Sequence, residues 1–284
     1  MFIKNWIIAV IFYIIFAIAY NQGYKILTRN MKKPGTLTVL VEAISGFFAL
    51  LCIPLFSFKL PKNPLVYLFL TIACIFYAIN DRLSTDVRKG VEASVFSIIK
   101  QTTTVFMIAA GILFFKEKFI LSKIVGGLLI VLSNILVFYK KNTNANKKYI
   151  WLGLLASFFN TIALIIDVNY SKQFNIPLYS AFTLLIPAII IFLFERIKIS
   201  DLTTEFKNIN KKVLLLVTLS GGLMVILKLT AYQLGQVIVI APLCSLTIIL
   251  NVIVGFIFLK EKDNILKKIL AGLLILISII LINS

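Results

Sequence analysis

The amino-acid sequence predicts an all-α polytopic membrane protein of ten transmembrane helices, arranged as two inverted five-helix repeats. Three observations carry that prediction. The 284 residues are 60% hydrophobic and only 14% charged, with a mean hydropathy of +1.01; one soluble core of this length cannot bury that much apolar surface. The apolar residues gather into long runs near the roughly 18–20 residues a helix needs to cross a bilayer, and they lack the alternation of barrel strands. Third, the chain contains one hairpin twice. FFKEKFILSKIVGGLLIVLS, starting at Phe114, is matched by IFLKEKDNILKKILAGLLILIS, starting at Ile257.

Taken in order, the runs give spans at 6–22, 37–58, 64–80, 93–115, 120–139, 150–168, 178–195, 212–233, 237–259 and 265–283. The first follows Lys4 and ends in Tyr20-Asn21-Gln22-Gly23. That end has no small-x-small cleavage pattern, so it is a span rather than a signal peptide. The polar connectors 140–149 and 196–212 are Lys- and Asn-rich and are expected as solvated loops. Lys116-Glu117-Lys118 and Lys260-Glu261-Lys262 are the turns of the repeated hairpin, and Glu117 and Glu261 are expected to cap helix starts there.

The repetition extends beyond the hairpin. Phe12 and Phe158, Ala17 and Ala163, Asn21 and Asp167, and Tyr24 and Tyr170 all recur at a separation of 146 residues. The repeats are therefore 1–144 and 145–284, together one transmembrane domain. Five spans per repeat is an odd number, so the second repeat inserts upside down relative to the first, a build characteristic of secondary transporters.

The net charge of +18 comes from Lys and Arg in short connectors, where they act as topology signals and contacts to lipid headgroups. No basic arm is present to wrap nucleic acid. Connectors after odd-numbered spans hold 20 of the 29 basic residues, and those after even-numbered spans and at the N-terminus hold 7. That count places both termini outside. Cys52, Cys74 and Cys244 lie within apolar runs, as small hydrophobes rather than bridges. The chain has no histidine, which removes His-based metal sites and His general bases. No cofactor and no metal are expected, and a membrane-embedded transferase fits poorly.

Phe115-Lys116-Glu117-Lys118 with Gly127, Leu259-Lys260-Glu261-Lys262 with Gly272, and Ala241-Pro242 opening span nine resemble the EamA repeat of the drug/metabolite transporter superfamily. The resemblance covers nearly the whole chain and implies a secondary carrier with a central cavity. It also implies cytoplasmic termini, opposite to the charge count, so orientation stays open. A narrower stretch, Tyr77-Ala78-Ile79-Asn80 with Lys100-Gln101-Thr102-Thr103, is similar to the nucleotide-sugar transporters. Here Gln follows Lys instead of preceding it, and Asp81 stands where that pattern has a second Asn. That similarity implies that Lys100 meets an anionic group.

Polar groups inside the spans are the candidate site, because a Lys or carboxylate at helix centre costs about 2.5–3.5 kcal/mol on insertion scales. Lys100 lies about 9 Å from the end of span four at 1.5 Å per residue, with Thr103 and Thr104 on its face and Gln101 alongside. Lys228 lies near the other end of span eight, with Tyr232 and Met224 on its face and Gly221 and Gly222 allowing a close helix approach. Glu42 and Asp167 are the first charge partners to consider for the two lysines, and candidates for proton or ion coupling. Tyr13, Phe16 and Tyr20 share one face of span one. Asn160 and Asp167 share one face of span six, as do Tyr179, Thr183 and Pro187 in span seven.

The function expected is a secondary carrier, in the cell membrane, of a small polar or anionic metabolite such as an amino acid or organic acid. A nucleotide-sugar or lipid-linked substrate is the alternative, with drug export behind it. The partners are that solute and membrane lipids, and the protein is a monomer or homodimer.

Overall fold

The computed structural model describes residues 5–28, 31, 33–90, 93–138, 147–259 and 265–283. Among them are eleven α-helices and no strand: α1 Trp6–Thr28, α2 Pro34–Leu51, α3 Pro64–Gly90, α4 Ala93–Leu113, α5 Leu121–Phe138, α6 Lys147–Tyr170, α7 Ile176–Phe194, α8 Ile199–Asn208, α9 Lys211–Leu234, α10 Val237–Leu259 and α11 Ile265–Asn283. The ten long helices overlie the ten apolar runs. Six of them, α1, α2, α3, α6, α7 and α9, are long and apolar enough to cross a membrane by length and composition. The other four carry shorter apolar stretches.

Local chemistry sets the helix starts. Asn5, Asn63 and Asn175 place a side-chain oxygen on backbone N–H groups of Ile7, Leu65 and Leu178 at 2.9–3.0 Å, covering donors that a helix leaves orphaned. Pro34 and Pro64 open their helices, where the missing N–H costs nothing. Asn175 also donates to the carbonyls of Phe56 and Ser57 and so ties the 53–59 connector to α7.

Two expectations change. Connector 196–212 is not wholly a loop, because it contains α8. Asp201 in the first turn and Lys207 in the last suit the helix dipole, and Leu202 and Phe206, four apart, line an apolar groove with Leu40 and Ile44 of α2. Lys33 bonds Asp201 at 2.9 Å and fastens α8 at the start of α2; that bond holds the half-buried Asp201 carboxyl below its usual range. Span three does not end at 80: α3 runs on for nearly three turns, because its polar end finds partners within the fold. Thr85 meets Thr38 at 3.3 Å, and Arg82 bonds both Asp86 and Glu195. Arg82 is therefore a helix-packing residue rather than a connector charge.

The helices gather into two units. One comprises Met1–Asp86 and Ile162–Leu234, the other Val87–Thr161 and Gly235–Ser284. Each draws on both sequence repeats, so the spatial units cut across the 1–144 and 145–284 division. In the first unit α1 packs on α9 and α2 on α7; in the second α4 packs on α10 and α5 on α11. The pairs α2–α7, α4–α10 and α5–α11 each join a helix to its counterpart in the other repeat. The first unit closes around Ala49, Cys74, Phe174, Tyr179 and Leu229. The second includes a cluster of Val87, Phe96 and Ile99 against α6.

Large apolar side chains face outward, with Phe194 86% exposed and Leu113 and Trp151 also outside, while Asp167, Gln101 and Glu42 are buried. That distribution suits hydrocarbon rather than water as the surrounding solvent.

Glu117 is a cap, but of a distant helix. Its two oxygens accept from the backbone N–H groups of Val237 at 2.6 Å and Ile238 at 2.9 Å, at the start of α10. Gly111 makes room, since a Cβ there would sit 2.9 Å from the Glu117 carboxylate. The second charged turn, with Glu261, lies outside the described residues. Glu117→Ala is expected to lower stability by about 3 kcal/mol, the scale of two charge-assisted hydrogen bonds, measured by thermal unfolding; Glu117→Gln is expected to fall between.

Candidate functional site

In the first unit the polar residues converge on Asp167. It is 1% exposed on α6 and accepts from Tyr77 of α3 at 2.5 Å and from Tyr179 of α7 at 2.8 Å, and Lys228 of α9 lies near enough to act on its charge. Three helices thus join at one carboxylate. Tyr232, one turn beyond Lys228, is buried, and Tyr13 of α1 is half-buried. Tyr20 lies beside Tyr24, the rings tilted to each other with centroids 5.5 Å apart, and its ring lies against Gly221 of α9. Ser45 and Phe48 of α2 close over Gly221 and Gly222, so these glycines allow the close approach expected of them.

Glu42 is 8% exposed, and the charge facing it is another acid, Asp81 of α3. Glu195, bonded to Arg82, lies over Gly35 at the start of α2.

The second unit holds the Lys100 stretch. Lys100 is half-buried, its Nζ 5.7 Å from the centre of the Phe96 ring, which offers a cation–π contact. Gln101 is 1% exposed, and among the described residues neither atom of its amide has a hydrogen-bond partner. Thr104 is buried, and Thr103 donates to the Ser157 carbonyl of α6 at 3.5 Å. The Ser157 hydroxyl reaches the Ile99 carbonyl at 3.4 Å, and Thr161 bonds back to Ser157. Asn160 is half-buried on the same helix. Pro242, inside α10, packs where a Cβ on Gly127 would stand, 3.0 Å away.

Sequence reasoning named Asp167 and Lys228, and it named Tyr77, Tyr179 and Asp81 as well, but it joined neither tyrosine to the carboxylate and did not set Asp81 against Glu42. A signal for the α3 residues was present: Tyr77, Asp81 and Thr85 recur every four residues, a polar stripe at helical spacing. Among the described residues no group of three or more Cys, Asp and Glu could hold a metal ion.

Comparison with known proteins agrees with this architecture. The fold is shared with a solved crystal structure at a TM-score of 0.78 and 10% sequence identity, over 98% of this chain and 96% of that one. No curated protein matches the sequence. The EamA-like transporter family is matched over residues 4–139, the first repeat with its Glu117 turn.

Proposed function

We propose that this protein is a secondary carrier that moves a small polar metabolite with an anionic group, an amino acid or organic acid, by alternating access at the interface of the two sequence repeats. The family match already implies a membrane transporter of the drug/metabolite type. The observation that carries the finer reading is Gln101. A buried polar group without a partner costs about 1–3 kcal/mol, and this amide, next to Lys100 in the chain, leaves both a donor and an acceptor unused among the described residues. An ammonium with a neighbouring amide suits a carboxylate ligand. The first unit, taken by itself, also holds Asp167 and Lys228, one charge of each sign, as a zwitterion requires.

Proteoliposome uptake of amino and organic acids tests the reading. Lys100→Ala is expected to lower uptake roughly 10–100-fold, the equivalent of one charged hydrogen bond. Uptake unchanged for every solute transported by the wild type would remove Lys100 from the site. Gln101→Met is expected to raise the melting temperature, by removing an unsatisfied amide at similar volume, while lowering uptake. A variant both more stable and equally active would leave the amide without a role.

A further inference from the structure

The α3 stripe carries a second acidic station that the proposed solute groups do not use. Thr38 of α2 meets Thr85 of α3 at 3.3 Å. One turn on along α2 is Glu42, and one turn back along α3 is Asp81, so the two helices pass in opposite directions and bring these acids face to face. The two acids are close enough for each to feel the other's charge, and Glu42 Oε2 is buried without a hydrogen-bond partner among the described residues. Asn80 donates to Asp81 Oδ1 at 2.7 Å and is itself held by Ser84 at 3.3 Å.

Two ionised carboxylates are acceptors only, so a hydrogen bond between them requires a proton on one. Without it, two negative charges would face each other inside a helical unit read as lying in hydrocarbon, where their repulsion is least screened. Other charged groups nearby have their own partners: Arg82 is held by Asp86 and Glu195, and Lys228 acts on Asp167. From α1, Tyr24 reaches Thr38 at 3.5 Å; from α8, Lys207 lies beside Leu40 and Ile44. Tyr77, bonded to Asp167, stands one turn before Asp81 on α3. Asp81 and the partner of Asp167 therefore share one face of that helix.

We propose that Glu42 and Asp81 share one proton within the membrane, and that this pair is where the carrier couples solute movement to protons. The proposal deepens the carrier reading and rests on it. The proton sits as an O–H on one acid and donates to the other; on release the pair carries two negative charges. A solute ammonium that neutralises Asp167 weakens the negative field at Asp81, and so eases that release.

Infrared spectroscopy of the reconstituted protein tests the pair without any solute. The wild type at neutral pH is expected to show a protonated-carboxyl C=O band. Glu42→Gln should abolish it, Asp81→Asn should shift its frequency, and Asp201→Asn, on exposed α8, should leave it unchanged. Absence of the band from the wild type, or its persistence in Glu42→Gln, overturns the shared proton; an unshifted band in Asp81→Asn does so as well. Melting curves for both variants exclude misfolding as the cause. Coupling is read with a pH dye inside proteoliposomes given a mixture of amino and organic acids. Wild-type protein is expected to move protons and Glu42→Gln to move fewer than a tenth as many. Equal movement in the variant, or wild-type solute flux without protons, overturns the coupling role. A wild type that moves no solute counts against the carrier reading, while the infrared band still decides the pair.

Discussion

Asp167→Ala is expected to lower stability by about 3–5 kcal/mol and to abolish uptake. The substitution leaves two tyrosine hydroxyls without the carboxylate they bond and removes the negative charge that Lys228 acts on; each stranded donor costs about 1–3 kcal/mol. Asp167→Asn retains an oxygen for the tyrosines but leaves Lys228 without its countercharge, so an intermediate loss is expected. The double variant Asp167→Asn/Lys228→Met should recover much of the stability, because a buried pair replaced as a whole is often neutral, and should still fail to transport. Thermal unfolding in detergent and proteoliposome uptake separate the two effects. Recovery of transport along with stability would make the cluster a helix clamp only.

The second large effect is expected at Gly222. A Cβ there would stand 2.6 Å from the Ser45 carbonyl oxygen and 3.3 Å from the Ala49 nitrogen. Backbone atoms of a packed helix cannot yield as a side chain does. Gly222→Val must therefore move α9 away from α2, at a cost of about 3 kcal/mol, the upper end for overpacking. Gly272 is the contrast: among the described residues nothing lies within 4 Å of its Cβ position. Gly272→Ala is expected to stabilise α11 by about 0.5–1 kcal/mol, through helix propensity alone. Equal melting temperatures for the two variants would contradict this packing.

Residues legible in the sequence were those whose placement in hydrocarbon is costly. Lys228, Asp167 and Glu42 stood out because a charge inside an apolar run needs an explanation, and Gly221-Gly222 because small residues permit close helix contact. The duplicated hairpin identified the repeats for the same local reason. What escaped was set by contacts distant in sequence. Tyr77 and Tyr179 look like ordinary aromatic packing until Asp167, on a third helix, is placed between them. Asp81 and Arg82 look like connector charges because span three seems to end at 80; only partners on α2 and α7 keep that helix going. Glu117 was readable as a cap, but its helix begins 120 residues later at Val237. α8 is short and polar, and its apolar edge has meaning only beside α2.

The central claim is that the polar groups buried among these helices serve a transported solute. A thermal-shift screen of purified wild type and Lys100→Ala against amino and organic acids tests it most directly. The account predicts at least one solute that raises the melting temperature of the wild type and fails to do so for the variant. A screen in which no solute shifts the wild type, or in which every shift survives Lys100→Ala, would contradict it.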